Sequence, residues 1–395
     1  MCISLACCTH WVILIDDTRY YTGRAFLIPG LSNAGSGNRE PAPGHARAAC
    51  IMVLSFHVVE GYRTVMSAVP QSDSGLETIQ ELIRDDMSLV NALIEEKLHS
   101  EIGLIDQLSH YIVNSGGKRL RPALVLLSAN SFAYSGDLHV KLAAVIEFIH
   151  TATLLHDDVV DASMLRRGQA TANQRWGNEA SVLVGDFLYS RAFQMMVEAG
   201  SMHVMKIMAD ATNTIAEGEV QQLINRHDPE TTEQRYLQVI HNKTAKLFEA
   251  AARVGAVIAG QDQKTELAMS GYGRHLGIAY QLIDDALDYS ASSDNLGKNI
   301  GDDLAEGKPT LPLLYALWHC PDEQAALIRR AVKQGSLDDM EQISAAIAAT
   351  GGIQYTRERA RQEADLAMRT LDHLPRSRYL DALFTLAHFA TERDY

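Results

Sequence analysis

Between Pro122 and Pro229, and again between Pro229 and Pro309, the chain contains no proline. Proline lacks an amide hydrogen and its ring collides with the preceding helical turn, so long proline-free stretches are where helices can run. Both stretches are rich in Ala, Leu, Ile, Met and Gln and read as successive helices. With 395 residues, 47% of them hydrophobic, the chain can bury a large core. An all-α domain follows. Its formal charge of −14 argues against nucleic acid and anionic membrane surfaces as partners. No uninterrupted apolar run approaches the roughly 18 residues of a membrane span.

Residues 1–65 differ from the rest. They hold Cys2, Cys7, Cys8 and Cys50, contain no lysine, and carry a Pro/Gly/Ser-rich patch from Ile28 to His45. The Cys7-Cys8 pair matches no standard zinc spacing. No basic residue precedes the apolar stretch within Met1–Ile15, as a secretory signal would require, and five arginines against four acids fit a transit peptide weakly. The segment is expected to be a non-native or disordered extension ahead of a start at Met66, with the folded domain over 66–395. The remaining cysteine, Cys320, is expected to be inert in a reducing cytoplasm.

From Ser74 the pattern is regular. Asp73-Ser74 can cap a helix through residues 76–98, and a second helix over 102–113 stops at Ser115-Gly116-Gly117. The loop Gly116-Gly117-Lys118-Arg119-Leu120-Arg121-Pro122 places three cations at a helix start, where partial positive charge also collects. Such a loop is either a solvated basic turn or an anion cradle.

A helical stretch from Glu147 to Gly168 carries Asp157, Asp158 and Asp161 inside an apolar run, with His150 before them and Arg166-Arg167 after. Positions seven and four apart share a helix face, so His150, Asp157 and Asp161 project together, with Asp158 beside them. Adjacent carboxylates among Leu154, Leu155, Val159 and Val160 would repel and be costly to desolvate unless a cation held them. An isolated Asp-Asp pair would read as a solvated face. The pattern recurs, however, as Asp284, Asp285 and Asp288, again in an apolar helical run. Two such helices can face each other across a cavity and hold Mg²⁺, which takes one or two carboxylates and completes its shell with water and substrate phosphates. The predicted ligand is a diphosphate. The basic loop and Arg166-Arg167 then read as its cradle.

Together, GGKRLRP, HTATLLHDDVVD with RRG, then GDF, KT, GIAYQLIDDALD and GKNIGDDLAEGK resemble the trans-isoprenyl diphosphate synthases, most of all the bacterial branch that makes octaprenyl diphosphate. The resemblance runs from about Leu76 to the C-terminus. It implies an all-α isoprenoid synthase bundle around a central cavity, usually homodimeric, that condenses isopentenyl diphosphate with an allylic diphosphate such as farnesyl diphosphate. By the same resemblance, Asp157, Asp158, Asp161, Asp284, Asp285 and Asp288 would bind Mg²⁺. Lys118, Arg121, His150 and Arg167 would hold isopentenyl diphosphate. Arg166, Lys243, Thr244, Gln281 and Lys298 would surround the allylic diphosphate and the nascent cation.

A class I terpene cyclase would carry only one aspartate-rich motif and no GGKRxRP, and a non-catalytic partner subunit would show eroded acids. Chain length stays open among octaprenyl, geranylgeranyl, solanesyl and decaprenyl products. Ala152, just upstream of the acids, leaves room for elongation. A next helix from Gly185 to Met208 is expected to supply a methionine floor from Met195, Met196, Met202, Met205 and Met208, with Met196 or Met208 as end-stop.

Overall fold

The computed structural model describes residues 10–16, 19–24, 72–290 and 301–393, in two compact units, Met1–Ala68 and Val69–Tyr395. In the first unit, β1 (His10–Asp16) pairs antiparallel with β2 (Arg19–Arg24), from His10 opposite Arg24 to Asp16 opposite Arg19. This hairpin is the regular structure described within the segment expected to be a non-native or disordered extension. The run Val12-Ile13-Leu14-Ile15 is apolar and, at Val12, Ile13 and Ile15, β-branched, a composition that favours a strand. The cysteines and the Pro/Gly/Ser-rich patch of this segment lie outside the described residues.

The second unit is helical, with one small ribbon. It opens with α1 (Ser72–Leu82), α2 (Arg84–Leu98), α3 (Gly103–Val113), α4 (Leu120–Ser131) and α5 (Leu138–Val160). The ribbon β3 (Leu165–Arg166) and β4 (Gln169–Ala170) leads to α6 (Ala172–Trp176), α7 (Asn178–Glu198) and α8 (Met202–Asn225). Then come α9 (Glu233–Ile240), a π-helical turn (His241–Ala245), α10 (Lys246–Ile258) and α11 (Gln263–Asp288). The chain ends with α12 (Asp302–Ala305), α13 (Leu311–His319), α14 (Asp322–Gln334), α15 (Met340–Thr350), α16 (Gly352–Leu371) and α17 (Arg378–Glu392).

Three expected continuous helices are broken. The first divides at Ile83 into α1 and α2. The second ends at Val160, because Ala162, Arg167 and Gly168 take left-handed backbone angles (φ 52°, 52° and 75°), so Arg166-Arg167 sit on the ribbon rather than at a helix end. The third divides at Gly200 (φ 70°), after which Ser201 caps α8 by accepting from the Val204 amide.

α5 sits at the centre, packed by α4, α7, α2 and α10. By length and composition alone it could cross a membrane, but Lys141, Glu147, His150, Asp157 and Asp158 interrupt its apolar residues and 72% of its apolar window is buried inside the protein. Its Val145, Ile146, Phe148, Ile149 and Leu155 are core, each burial stabilising by about 1.5–3 kcal/mol. A ring of helices therefore holds the polar end of α5 in a fixed place.

Candidate active site

The basic loop reaches α4 through strained backbone. Gly116 (φ 87°) and Gly117 (φ 145°) turn the chain, and Arg119 (φ 49°) stands left-handed at the helix N-cap. A Cβ on Gly117 would lie 2.9 Å from Nη1 of Arg167, so a side chain there would displace that guanidinium, and the positive φ itself favours glycine. Arg121 donates through Nη1 to Nε2 of His150 at 3.1 Å and stacks 4.4 Å from the Phe248 ring centre. A guanidinium only donates, so Nε2 must present a lone pair and His150 is neutral. Burial first, then Arg121, holds its pKa well below the usual imidazole range.

The first acidic set divides by environment. Asp157 faces Lys243 (3.5 Å), whose ammonium also holds Glu219 at 2.6 Å. Asp161, at the end of α5, takes Arg226 and, at 2.9 Å, Lys308. Asp158 is wholly buried and accepts from Arg166 Nε at 3.0 and 3.2 Å and from Nη2 at 2.6 Å. Burial raises its pKa, and Arg166 opposes the rise.

On α11, Asp284 pairs with Arg393 at 2.7 Å, and that guanidinium lies 3.6 Å from the Tyr280 ring centre. Asp285 is buried, accepting from Tyr236 at 2.5 Å and Gln281 at 2.8 Å. Burial, then Asp303, pushes its pKa well up. Asp288 accepts from the Asp303 amide at 3.3 Å. Thr244, inside the π turn, donates to Gln281 at 3.1 Å, which fixes the amide between Thr244 and Asp285. Within this π turn, Thr244 meets Gln281 on α11, while Lys243 reaches Asp157 on α5 and Glu219 on α8. α8 accommodates the turn because Gly218 comes so close to it that a Cβ would sit 2.7 Å from the Lys243 nitrogen.

One cavity of about 320 Å³ gathers Lys118, Arg121, His150, Asp157, Asp161, Arg166, Arg167, Lys243, Thr244, Gln281 and Asp284. Asp158, Asp285 and Asp288 do not line it. Asp285 lines a smaller neighbour of about 120 Å³ that shares Lys243, Thr244, Gln281 and Lys308. Lys298 lies outside the described residues. Arg119, already named in the basic loop, also lines the main cavity, as do Glu147, Glu219, Tyr280 and Lys308, which sequence reasoning missed. It also missed Arg226 and Arg393, which pair with Asp161 and Asp284. Lys308 closes the GKNIGDDLAEGK motif and was within reach of motif reading; Arg226 and Arg393 arrive only through tertiary packing.

The acidic oxygens suit a hard cation. Among the described residues no three Asp, Glu, His or Cys side chains converge into a ready-made cage. A Mg²⁺ ion here would therefore draw part of its shell from a bound diphosphate. Asp157 and Asp161 on one wall and Asp284 on the other are placed for that.

A larger groove of about 1540 Å³ between α5, α7 and α8 shares Thr153, Asp157, Ile215 and Glu219 with the cavity. Tyr189, Phe193 and Val197 line it; Ala152 does not. Met195, Met196 and Met208 are core, whereas Met202 is 80% exposed and unsuited to a tunnel floor.

The polyprenyl synthetase family model matches residues 103–349. The chain belongs to the polyprenyl synthetase family. It is 55% identical to octaprenyl diphosphate synthase of Escherichia coli (strain K12) over 320 residues, 81% of this chain and 99% of that one. The octaprenyl diphosphate synthase of Haemophilus influenzae is 51% identical, covering 81% and 98%. Among solved structures, a Caulobacter crescentus polyprenyl synthase, complexed with calcium and isoprenyl diphosphate, superposes with a TM-score of 0.78 at 44% identity, covering 81% of this chain and 98% of its own. A decaprenyl diphosphate synthase from Rhodobacter capsulatus gives 0.77 at 43% identity, covering 81% and 99%. The all-α isoprenoid synthase fold is thereby shown for this polyprenyl synthetase.

Proposed function

We propose that the chain is an octaprenyl diphosphate synthase: a Mg²⁺-dependent prenyltransferase that adds isopentenyl diphosphate units to an allylic starter, farnesyl diphosphate by preference. Its product would be delivered to the membrane as a quinone side chain, from a homodimer in the cytoplasm. The observation that carries this is the convergence of the basic loop and both acidic helices on one cavity, in a chain 55% identical to octaprenyl diphosphate synthase of Escherichia coli.

Lys118, Arg121, His150 and Arg167 would hold the diphosphate of isopentenyl diphosphate through charge-assisted hydrogen bonds. Asp157, Asp161 and Asp284 would hold Mg²⁺, with Asp285 and Asp288 completing the second motif. When bound, Mg²⁺ supplies positive charge to the departing allylic diphosphate. Lys243, Lys308 and Lys298 add to that charge, and Arg166 is positioned by Asp158. The Thr244–Gln281 pair would present oxygen dipoles to the positive charge left on the allyl group. Released diphosphate is the nearest base for the proton lost on condensation. The growing tail would follow the groove beside Thr153. Large apolar side chains left exposed on α7 and α8, among them Leu183, Val197 and Ile224, support pairing of two copies.

The test is incubation of purified protein with labelled isopentenyl diphosphate, farnesyl diphosphate and Mg²⁺, with the products resolved by reversed-phase chromatography. An octaprenyl product that vanishes with chelator is expected. A cyclised product, or turnover indifferent to chelator, would overturn the reading, and a nonaprenyl or decaprenyl product would overturn the chain length alone.

A further inference from the structure

Arg119 and Glu147 hold the basic loop without any part in the roles assigned above. Glu147 is buried in α5, one turn before His150, and accepts from Nη1 of Arg119. Nη2 of the same guanidinium donates to the Val113 carbonyl at 3.1 Å, tying the loop back to the end of α3. The backbone at Arg119 is left-handed (φ 49°, ψ 36°), a conformation that side-chain-bearing residues keep only when something holds them there. One turn further along α5, His150 receives Arg121 at 3.1 Å. α5 therefore grips the loop at two points. Gly116 and Gly117 carry no side chains, so Arg119 supplies a side-chain tie between this loop and the elements beside it.

Charge points the same way. Lys118, Arg119, Arg121 and Arg167 line one cavity with Glu147, whose field acts on both Arg121 and Arg167, whereas that of Asp284 also acts on Arg121. Clustered cations in a partly dry cavity repel unless a counter-charge sits with them.

We propose that the Arg119–Glu147 pair is a positioning clasp that presents Lys118 and Arg121 to the diphosphate of isopentenyl diphosphate. The inference rests on the reading of the basic loop as that substrate's site. The clasp acts on binding of one substrate rather than on ionisation of the other. Its signature is a change in one Michaelis constant only.

Four variants of the full chain, Arg119→Met, Arg119→Lys, Glu147→Gln and the Met/Gln double, are compared for both Michaelis constants, kcat and melting temperature, with Lys118→Ala alongside. Arg119→Met is expected to raise KM for isopentenyl diphosphate about tenfold or more while the allylic KM and kcat stay within about twofold. Arg119→Lys, which keeps the charge pair, should recover most of the loss. The double variant should be no worse than Arg119→Met alone, because the two residues act as one unit. If Arg119→Met and Glu147→Gln both leave KM for isopentenyl diphosphate within about twofold, the clasp is refuted. It is equally refuted if both Michaelis constants rise together as the melting temperature falls and Arg119→Lys restores neither. Lys118→Ala separates the two levels. A raised KM for isopentenyl diphosphate there keeps the cradle even if the clasp fails, and an unchanged one removes the cradle itself.

Discussion

Asp157 and Asp158 are adjacent in sequence and opposite in surroundings, so replacing each by asparagine separates catalysis from stability. Asp158 is fully buried and receives three contacts of 2.6–3.2 Å from Arg166. Removing one member of a buried ion pair costs about 3–5 kcal/mol, because the other charge is stranded. Arg166 keeps 28% of its side chain in solvent, and asparagine retains one acceptor oxygen, so about 2 kcal/mol applies here. At about 2 °C per kcal/mol for a large domain, that is roughly 4 °C in melting temperature. Asp157 has one partly exposed partner at 3.5 Å and lies near Glu219, so its loss should cost no more than about 1 kcal/mol. Urea unfolding followed by circular dichroism, without metal or substrate, reads stability free of ligand linkage. Steady-state turnover across a Mg²⁺ titration reads function. Asp157→Asn should lose activity by orders of magnitude at near wild-type stability. Asp158→Asn should unfold earlier yet keep its Mg²⁺ midpoint. An Asp158→Asn protein of wild-type stability whose Mg²⁺ requirement shifts about tenfold would refute the assignment.

Three further outcomes are expected. His150 is held neutral in the folded protein, while the unfolded chain binds its proton near pH 6.5. The stability it contributes is therefore complete above about pH 6.5 and declines below it, by up to about 1.4 kcal/mol per unit; urea titrations should show that His150→Gln removes this part of the slope. Thr153, which lines both cavity and groove, should shorten the product when changed to Phe, whereas Met196→Ala should lengthen it; mass spectrometry of the polyprenyl products decides, and an unchanged chain length in both would misplace the tail. We propose that residues 66–395 carry the activity, so that shortened chain should melt within about 2 °C of the full one and turn over within about twofold, as calorimetry and the condensation assay will show.

The motifs were legible because their chemistry is local. Spacing along one helix brings His150, Asp157 and Asp161 to a single cavity, and the repeat on α11 adds Asp284. What spacing leaves open is which way the neighbour of a facing residue points. Asp158 is next to Asp157 in sequence, yet the helix turns it into the core, where Arg166 meets it from the ribbon. The ribbon itself was hidden, since nothing in the composition of Ala162 or Arg167 announces a positive φ. The same applies to the π turn, where one additional residue redirects Lys243 and Thr244 without a marker in the sequence.

The cations paired with the acids, most of them missed by sequence reading, explain why the acids can sit here at all. Two helices carrying aspartates into one cavity would repel each other in the resting protein. Lys243 faces Asp157, Arg226 and Lys308 face Asp161, and Arg393 faces Asp284. Each motif is thus balanced by basic side chains from other elements. Lys243 and Lys308 also line the cavity in which the proposed diphosphate would lie. A diphosphate arriving with its cations would let the carboxylates and the lysines exchange partners, each charge leaving one opposite charge for another. Such an exchange avoids exposing an unpaired ion in a partly dry site, which is the costly alternative.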